Sequence, residues 1–354
     1  MPLSMLKTLL RSGLYRCGVL GLHHRWVNRN NLTVAMFHRV LSANDPCWST
    51  TEEEYSMSDG LFEDCLRFFN RHYSPVTLAQ IRAARTGGER LPTRPLLVTF
   101  DDGWLDNLSV ALPILERHRM PATVFVASSV LDAADDIWWH DIVVFGWNSG
   151  RLGTAGFADF RRAIGLASLN PAENAWRSGV TLLDVIVAAA RLDSTARDRF
   201  LRPLSQAHHF APPRQMLDRA TFEQLARHPL IEIGAHGHNH LPMTYVEDAK
   251  PELTIPREQL KSRTGKSADD EITSLSFPHG RYDQRLVDQA RDLGYELIFT
   301  SDAVLNPITG FGHSTLGRIG IPSSQIIDGH GTFAADRLAT WLFTRQTGKT
   351  SLAK

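Results

Sequence analysis

At 354 residues with 43% apolar side chains, the chain is long enough for one large domain or two ordinary ones and too apolar to remain unfolded. Its 38 Lys and Arg balance 38 Asp and Glu, so no global positive field exists to hold phosphates, which argues against a nucleic-acid partner. The three cysteines, Cys17, Cys47 and Cys65, are odd in number and lack CxxC spacing, which argues against a disulfide framework or a thiolate zinc site and points to a reducing compartment.

The first segment, residues 1–30, is basic. From Met1 to Asn44 it and the following strand carry Lys7, Arg11, Arg16, Arg25, Arg29 and Arg39 and no acidic residue. Leu6, Leu9, Leu10, Leu14 and Leu20 recur at near-helical spacing among these charges. Two readings stand: an amphipathic helix docked on the domain, or one that makes peripheral contact with an anionic membrane. No stretch reaches the roughly 18 apolar residues of a membrane span. No apolar segment with a small-residue cleavage site opens the chain, so a cytoplasmic location is expected, at the inner face of the membrane if the basic segment touches lipid.

Residues 31–345 read as one α/β domain. Short apolar, β-branched runs recur at Thr33 to Phe37, Leu96 to Phe100, Ala122 to Val126, Ile231 to Ala235, Thr273 to Phe277 and Glu296 to Thr300, with helical patterns between them. This alternation predicts a mostly parallel sheet. Helix signals include a capping-box pattern at Thr221 and Gln224, and Asp283 ahead of Leu286, Val287, Ala290 and Leu293 with Gly294 as the stop. The rhythm breaks at about 132–219, read as a helical insertion over one end of the barrel or sheet, with helices around Leu182 to Ala190 and Ala196 to Leu201. Residues 346–354 read as a loose tail.

Chemistry concentrates at two strand ends. After Leu96 to Phe100 come Asp101, Asp102 and Gly103, two adjacent carboxylates where a parallel strand meets its loop; alone, they are equally a turn or a helix cap. After Ile231 to Ala235 come His236, Gly237, His238, Asn239 and His240. In a helical turn His236 and His240 share a face; in an extended strand all three histidines align. Gly237 and the Leu241-Pro242 break favour the turn, leaving His238 at the rim. One carboxylate with two imidazoles leaves a coordination position open, the arrangement of a catalytic divalent ion such as zinc, and hydrolysis is the natural chemistry.

Thr99 to Gly103 (TFDDG), the His236 and His240 pair, and Phe277-Pro278-His279-Gly280 follow one another as do the motifs of the polysaccharide deacetylase family, the NodB-homology group also called carbohydrate esterase family 4, which the chain resembles from about Thr33 to Pro322 apart from the insertion. The resemblance implies a distorted (β/α) barrel of about seven parallel strands and removal of acetyl groups from an N-acetylated polysaccharide or lipid-linked sugar. It implies one divalent metal ion, zinc ahead of nickel, cobalt or manganese. By position Asp101 matches the general base, and Asp102, His236 and His240 match the metal ligands. Trp104, Pro278, His279 and Gly280 fall on the substrate side.

Two departures matter. No C-terminal Leu-x-His motif supplies the general acid, but Val34-Ala35-Met36-Phe37-His38 resembles a permuted branch in which that motif comes first, making His38 the candidate acid. A histidine bonded within the core is the bland alternative, with His279 and His330 as rival acids. Ser276 stands where many members carry a base-orienting arginine; Arg318 is a candidate substitute or a surface salt-bridge partner. Trp138 and Trp139 read equally as sugar platforms and as core. The competing functions are a catalytically weak or inactive glycan-binding barrel and iron-dependent oxygenation on the same ligands.

Overall fold

The computed structural model describes residues 3–49, 51–132, 138–166, 180–207, 214–264, 271–308 and 315–348. Two helices, α1 (Leu3–Arg16) and α2 (Val19–Val27), precede strand β1 (Asn31–Phe37). Next come β2 (Arg39–Leu41), β3 (Ser56–Ser58), α3 (Asp59–His72), β4 (Ser74–Pro75), α4 (Leu78–Arg85), β5 (Pro95–Phe100), α5 (Leu112–His118) and β6 (Ala122–Val126). Helices α6 (Trp139–Asn148), α7 (Ala158–Ala163), α8 (Leu182–Ala190), α9 (Ser194–Ala207) and α10 (Arg219–Ala226) separate β6 from β7 (Ile231–Ala235). The chain closes with α11 (Lys250–Arg263), β8 (Ser274–Ser276), α12 (Gln284–Asp292), β9 (Leu297–Phe299), β10 (Asn306–Pro307), β11 (Ile319–Gly320), α13 (Ser323–Ile326) and α14 (Ala335–Phe343).

The main sheet runs β10-β1-β5-β6-β7-β8-β9, with β11 on β1 and β4 on β5. Every neighbour along it is parallel except β10, which meets β1 antiparallel. This is a curled, distorted (β/α) barrel with a helical insertion. All six residues of β5 and all five of β6 are buried, as expected of parallel strands covered on both faces. Alternation splits their side chains into two apolar clusters. One holds Val34, Leu97, Phe125, Leu297 and Phe299, on the side of β5 to which Thr99 and Asp101 also belong. The other contains Ala35, Val98, Phe100, Val124 and Val126 and continues into the surrounding helices.

Several local details differ from the sequence reading. Helix α10 starts three residues earlier than its capping pattern suggested: Asp218 is the cap, accepting the Thr221 N–H, and Thr221 returns a hydroxyl to the Asp218 N–H. The carboxylate is the stronger acceptor and wins the cap. Residues 236–240 form no helical turn; left-handed backbone at Gly237 (φ 73°) and His240 (φ 55°) bends the chain instead. The segment read as a loose tail begins in order, since Leu305 donates its N–H to the Gln346 carbonyl and pairs with Thr347. Residues 349–354 lie outside the described residues. The short strands β2, β3, β4, β10 and β11 carry two or three residues each, too few for a sequence pattern.

Candidate active site

Strand β5 delivers the first carboxylate. Its ladder continues one residue past Phe100, where the Asp101 N–H donates to the Phe37 carbonyl at 3.1 Å. The Asp101 carboxylate is buried and faces Arg318, which donates from Nη1 to Oδ1 at 2.6 Å and from Nη2 to Oδ2 at 2.7 Å. Arg318 is only 1% exposed; it also donates to the Thr300 carbonyl at 3.2 Å and to Ser276 Oγ at 2.7 Å. Arg318 is therefore no surface partner: with Ser276 it clamps Asp101. Burial alone would raise the Asp101 pKa, but Arg318 and His236 outweigh it and hold the carboxyl below its ordinary value.

The next residue turns away because Asp102 itself adopts φ 77° and Gly103 φ 93°. A Cβ on Gly103 would approach Val126 Cγ1 to 2.9 Å, so only glycine fits this corner. Asp102 Oδ1 lies 3.3 Å from His236 Nε2 and 3.2 Å from His240 Nε2. His236 donates from Nδ1 to the Ser276 carbonyl at 2.8 Å, which leaves the Nε2 lone pair facing Asp102. Glu252 fixes the loop between the two rings by accepting the His238 N–H at 3.0 Å, the Asn239 N–H at 2.9 Å and the Asn239 amide at 2.9 Å. His238 turns outward, its Nδ1 2.8 Å from Ser128 Oγ.

These three residues fit a divalent cation. Asp102 Oδ1 is buried with no hydrogen-bond partner among the described residues. One ligand atom from each of Asp102, His236 and His240 lies within 4.8 Å of the others. Tetrahedral bonds of about 2.0–2.1 Å place ligand atoms roughly 3.3 Å apart, the spacing seen from Asp102 to both imidazoles. Burial lowers the His240 pKa, favouring the neutral ligand form, while the imidazoles overcome burial to hold Asp102 well below the carboxylate range.

Other predicted residues surround this centre. His38 lines the same pocket at the end of β1, its ring 4.6 Å from that of Tyr55. Asn107 donates to the His38 carbonyl at 2.9 Å, and Asp106 accepts the Val40 N–H at 2.9 Å and Arg39 Nε at 2.9 Å, fixing the backbone on both sides of the ring. Trp104 is 4% exposed and donates its indole N–H to Asp102 Oδ2 at 2.9 Å, so it orients the Asp102 carboxylate as well as walling the pocket. His279 lines the pocket, with Nε2 donating to the His240 carbonyl at 3.2 Å; Gly280 beside it has no room for a Cβ, which would fall 1.9 Å from Ser301 Oγ. Pro278 is buried near Gly237. His330 is exposed in a turn closed on Asp328 and does not line the pocket. Trp138 and Trp139 are 8% and 7% exposed and pack behind the site, Trp138 stacked on His140 and Trp139 under Arg197.

One wall escaped the sequence reading. Glu52, His140 and Asp141 line the pocket together with Asp102, His236 and His240, Glu52 Oε1 lying 3.3 Å from His140 Nε2. His140 Nδ1 and Asp141 Oδ2 are buried and have no hydrogen-bond partner among the described residues. The available signal was the His140-Asp141 pair at the start of the insertion; nothing local marks Glu52 within its acidic run.

An Asp-Asp pair and two histidines thus gather where the strands of a distorted (β/α) barrel end, the arrangement that the sequence resemblance implies. The family described as polysaccharide deacetylase matches residues 88–147 and 202–298. Among curated relatives, the poly-beta-1,6-N-acetyl-D-glucosamine N-deacetylase of Escherichia coli (strain K12) is 39% identical over 64 residues, 18% of this chain and 10% of that protein's length. Among solved structures, the Streptococcus pyogenes deacetylase PplD in complex with acetate has a TM-score of 0.55 at 14% identity, covering 89% of this chain and 99% of its own. IcaB from Ammonifex degensii has a TM-score of 0.55 at 16% identity over 89% of this chain and 98% of its own. At these identities the two structures speak to the fold.

Proposed function

We propose that the chain is a metal-dependent hydrolase that removes N-acetyl groups from an N-acetylated glycan, either a polysaccharide or a glycolipid sugar. One observation carries the reading: Asp102, His236 and His240 meet within ligand distance in the pocket that also receives the Arg318-clamped Asp101 and His38. The poly-N-acetylglucosamine substrate in the bacterial relative's name supports the substrate class.

A divalent cation held by Asp102, His236 and His240 would supply Lewis acidity toward an amide carbonyl oxygen and lower the pKa of water from 15.7 to about 7. The oxygen and imidazole donors suit zinc, with nickel, cobalt and manganese behind it. Asp101, ionised and held by the arginine fork, accepts a proton of the attacking water on a carboxylate oxygen. His38 protonates the departing nitrogen as the carbon–nitrogen bond breaks, giving acetate and a free amine on the sugar. Such proton transfers each contribute about 10²–10⁴-fold.

Acetate release from β-1,6- and β-1,4-linked N-acetylglucosamine oligomers by zinc-loaded protein, abolished by a chelator and by Asp101→Asn, tests the reading. Oligomer binding without acetate release would replace it with the glycan-binding barrel.

A further inference from the structure

Helix α2 has two faces of opposite character. Leu20, His24 and Asn28, four residues apart, are buried; His24 stacks on Phe343 of α14 with ring centroids 4.0 Å apart, and Asn28 donates to the Phe343 carbonyl at 2.8 Å. The other face shows Val19, Leu22 and Trp26 at i, i+3 and i+7, exposed by 47%, 54% and 76%. Val27 at 57% and, on the preceding helix α1, Leu10 at 62% are exposed as well. Five of the eight large apolar side chains exposed among the described residues thus fall between positions 10 and 27. The other three are accounted for: Tyr55 and Leu183 line the candidate active site, and Tyr245 lies under the Arg191 guanidinium, 4.0 Å from its ring centroid.

The charges that the two helices themselves carry have one sign. No acidic residue occurs before Asp45, and Arg16, His23, Arg25 and Arg29 are exposed on or beside the two helices. Arg25, Arg71 and Arg94 all act electrostatically on His72, which packs 5.3 Å from the Phe343 ring, so the positive rim continues past α2 onto the body of the domain. Arg11 is taken up by Asp336 and Arg39 by Asp106, leaving the exposed arginines to face outward. An apolar stripe centred on a tryptophan and bordered by arginines is the chemistry of a helix lying in the headgroup layer of an anionic bilayer. A second copy fits poorly: a contact between two such faces would bring two positively charged rims together, and five side chains fall short of the roughly 800 Å² per partner that a stable interface buries.

We propose that the outward face of α2, with Leu10 and the flanking arginines, seats this protein on an anionic lipid bilayer. The inference does not depend on the reaction assigned to the pocket.

Sedimentation of the full chain with vesicles of phosphatidylglycerol and phosphatidylcholine, against phosphatidylcholine alone, tests it. The protein should pellet with the anionic vesicles only, and high salt should release it, because surface attraction falls off within a Debye length of about 8–10 Å. Leu22→Glu with Trp26→Glu should abolish binding while leaving the unfolding midpoint unchanged, since both side chains already face solvent. Arg25→Gln with Arg29→Gln should weaken binding about tenfold or more and erase the preference for anionic lipid. Equal binding to both vesicle types, binding that survives Leu22→Glu and Trp26→Glu, or no binding at all overturns the proposal. So does a wild-type dimer in light scattering that these two substitutions convert to monomer without any lipid binding, which would make the face a contact between copies.

Discussion

Arg318 and Asp101, 217 residues apart in the chain, meet through two parallel hydrogen bonds of 2.6 and 2.7 Å in the interior of the barrel mouth. The pair does two things at once. It fixes where the carboxylate points, and it holds the group's pKa below its ordinary value against the upward push of burial. Breaking it from the arginine side should show both. Arg318→Met leaves a buried carboxylate unpaired and should lower stability by about 3–5 kcal/mol in denaturant unfolding. Arg318→Lys keeps a charge without the fork and should fold, but with kcat/KM for acetate release down about a hundredfold. The sign of the pH effect is fixed. The folded Asp101 pKa is depressed, so its contribution to stability is present above the unfolded value near 3.9 and is lost as pH falls through the folded value. In Arg318→Lys the acid limb of the rate profile should move to higher pH; a limb that stays in place would show that Asp101 is not the titrating base.

Trp104 touches one of the proposed metal-holding residues as well as lining the pocket. Its indole N–H holds Asp102 Oδ2 at 2.9 Å while Oδ1 faces the two imidazoles. Trp104→Phe keeps a flat ring and removes the donor, so zinc affinity by chelator competition should fall about 10–100-fold. Asp102→Asn and His240→Ala should lose the ion outright in metal analysis. A Trp104→Phe protein with wild-type zinc affinity and raised KM would return the residue to a purely sugar-facing role.

Glu252 positions the histidine loop from a helix on the far side. Its carboxylate accepts two backbone N–H groups and the Asn239 amide, and the residue is 3% exposed. Glu252→Ala would take the acceptor from those three part-buried donors, at about 0.5–1.5 kcal/mol each. Denaturant unfolding should therefore shift by about 2–4 kcal/mol, and zinc affinity should fall with it because His240 loses its support. Stability lost with zinc affinity intact would mean that the loop holds its shape without Glu252.

The chain's two richest signals, Asp101-Asp102-Gly103 and His236 to His240, were legible because each follows an apolar strand that forms essentially where its residues suggest, β5 and β7. What joins them was not. Arg318 follows the isolated β-bridge residue Leu316 and precedes the two-residue strand β11, too short to show a period, and its partner lies in another motif. A lone arginine between Gly317 and Ile319 was the one hint, and it reads equally as surface. The His236–His240 geometry was missed because helical and extended turns are near in energy locally; Glu252 and the left-handed residues decide it through tertiary contacts. The cap of α10 was misplaced for a simpler reason: Asp218 and Thr221 both suit an N-cap, and the hydrogen bonds choose.

Asp141 is the wall residue with the clearest energetic signature. Burial is the largest influence on it and raises its pKa to about 6 against the pull of Arg39 and His140, with Asp102 and Glu52 adding to the rise. In the unfolded chain the same carboxyl titrates near 3.9, so between those values the folded protein binds the extra proton. Stability therefore falls as pH rises through that window, and the full penalty, roughly 3 kcal/mol, stands above it. Asp141→Asn should be more stable than wild type by about that amount near pH 7.5 and little changed near pH 4. A destabilising carboxylate in a pocket wall, its Oδ2 without a hydrogen-bond partner among the described residues, is suited to accept a sugar hydroxyl, which the asparagine amide would do less well. KM for N-acetylglucosamine oligomers should then rise about tenfold, with kcat changed by less than about twofold. Equal stability of the two proteins at both pH values would mean that Asp141 is ionised without penalty. A fall in kcat at constant KM would move it from holding the sugar to assisting the reaction.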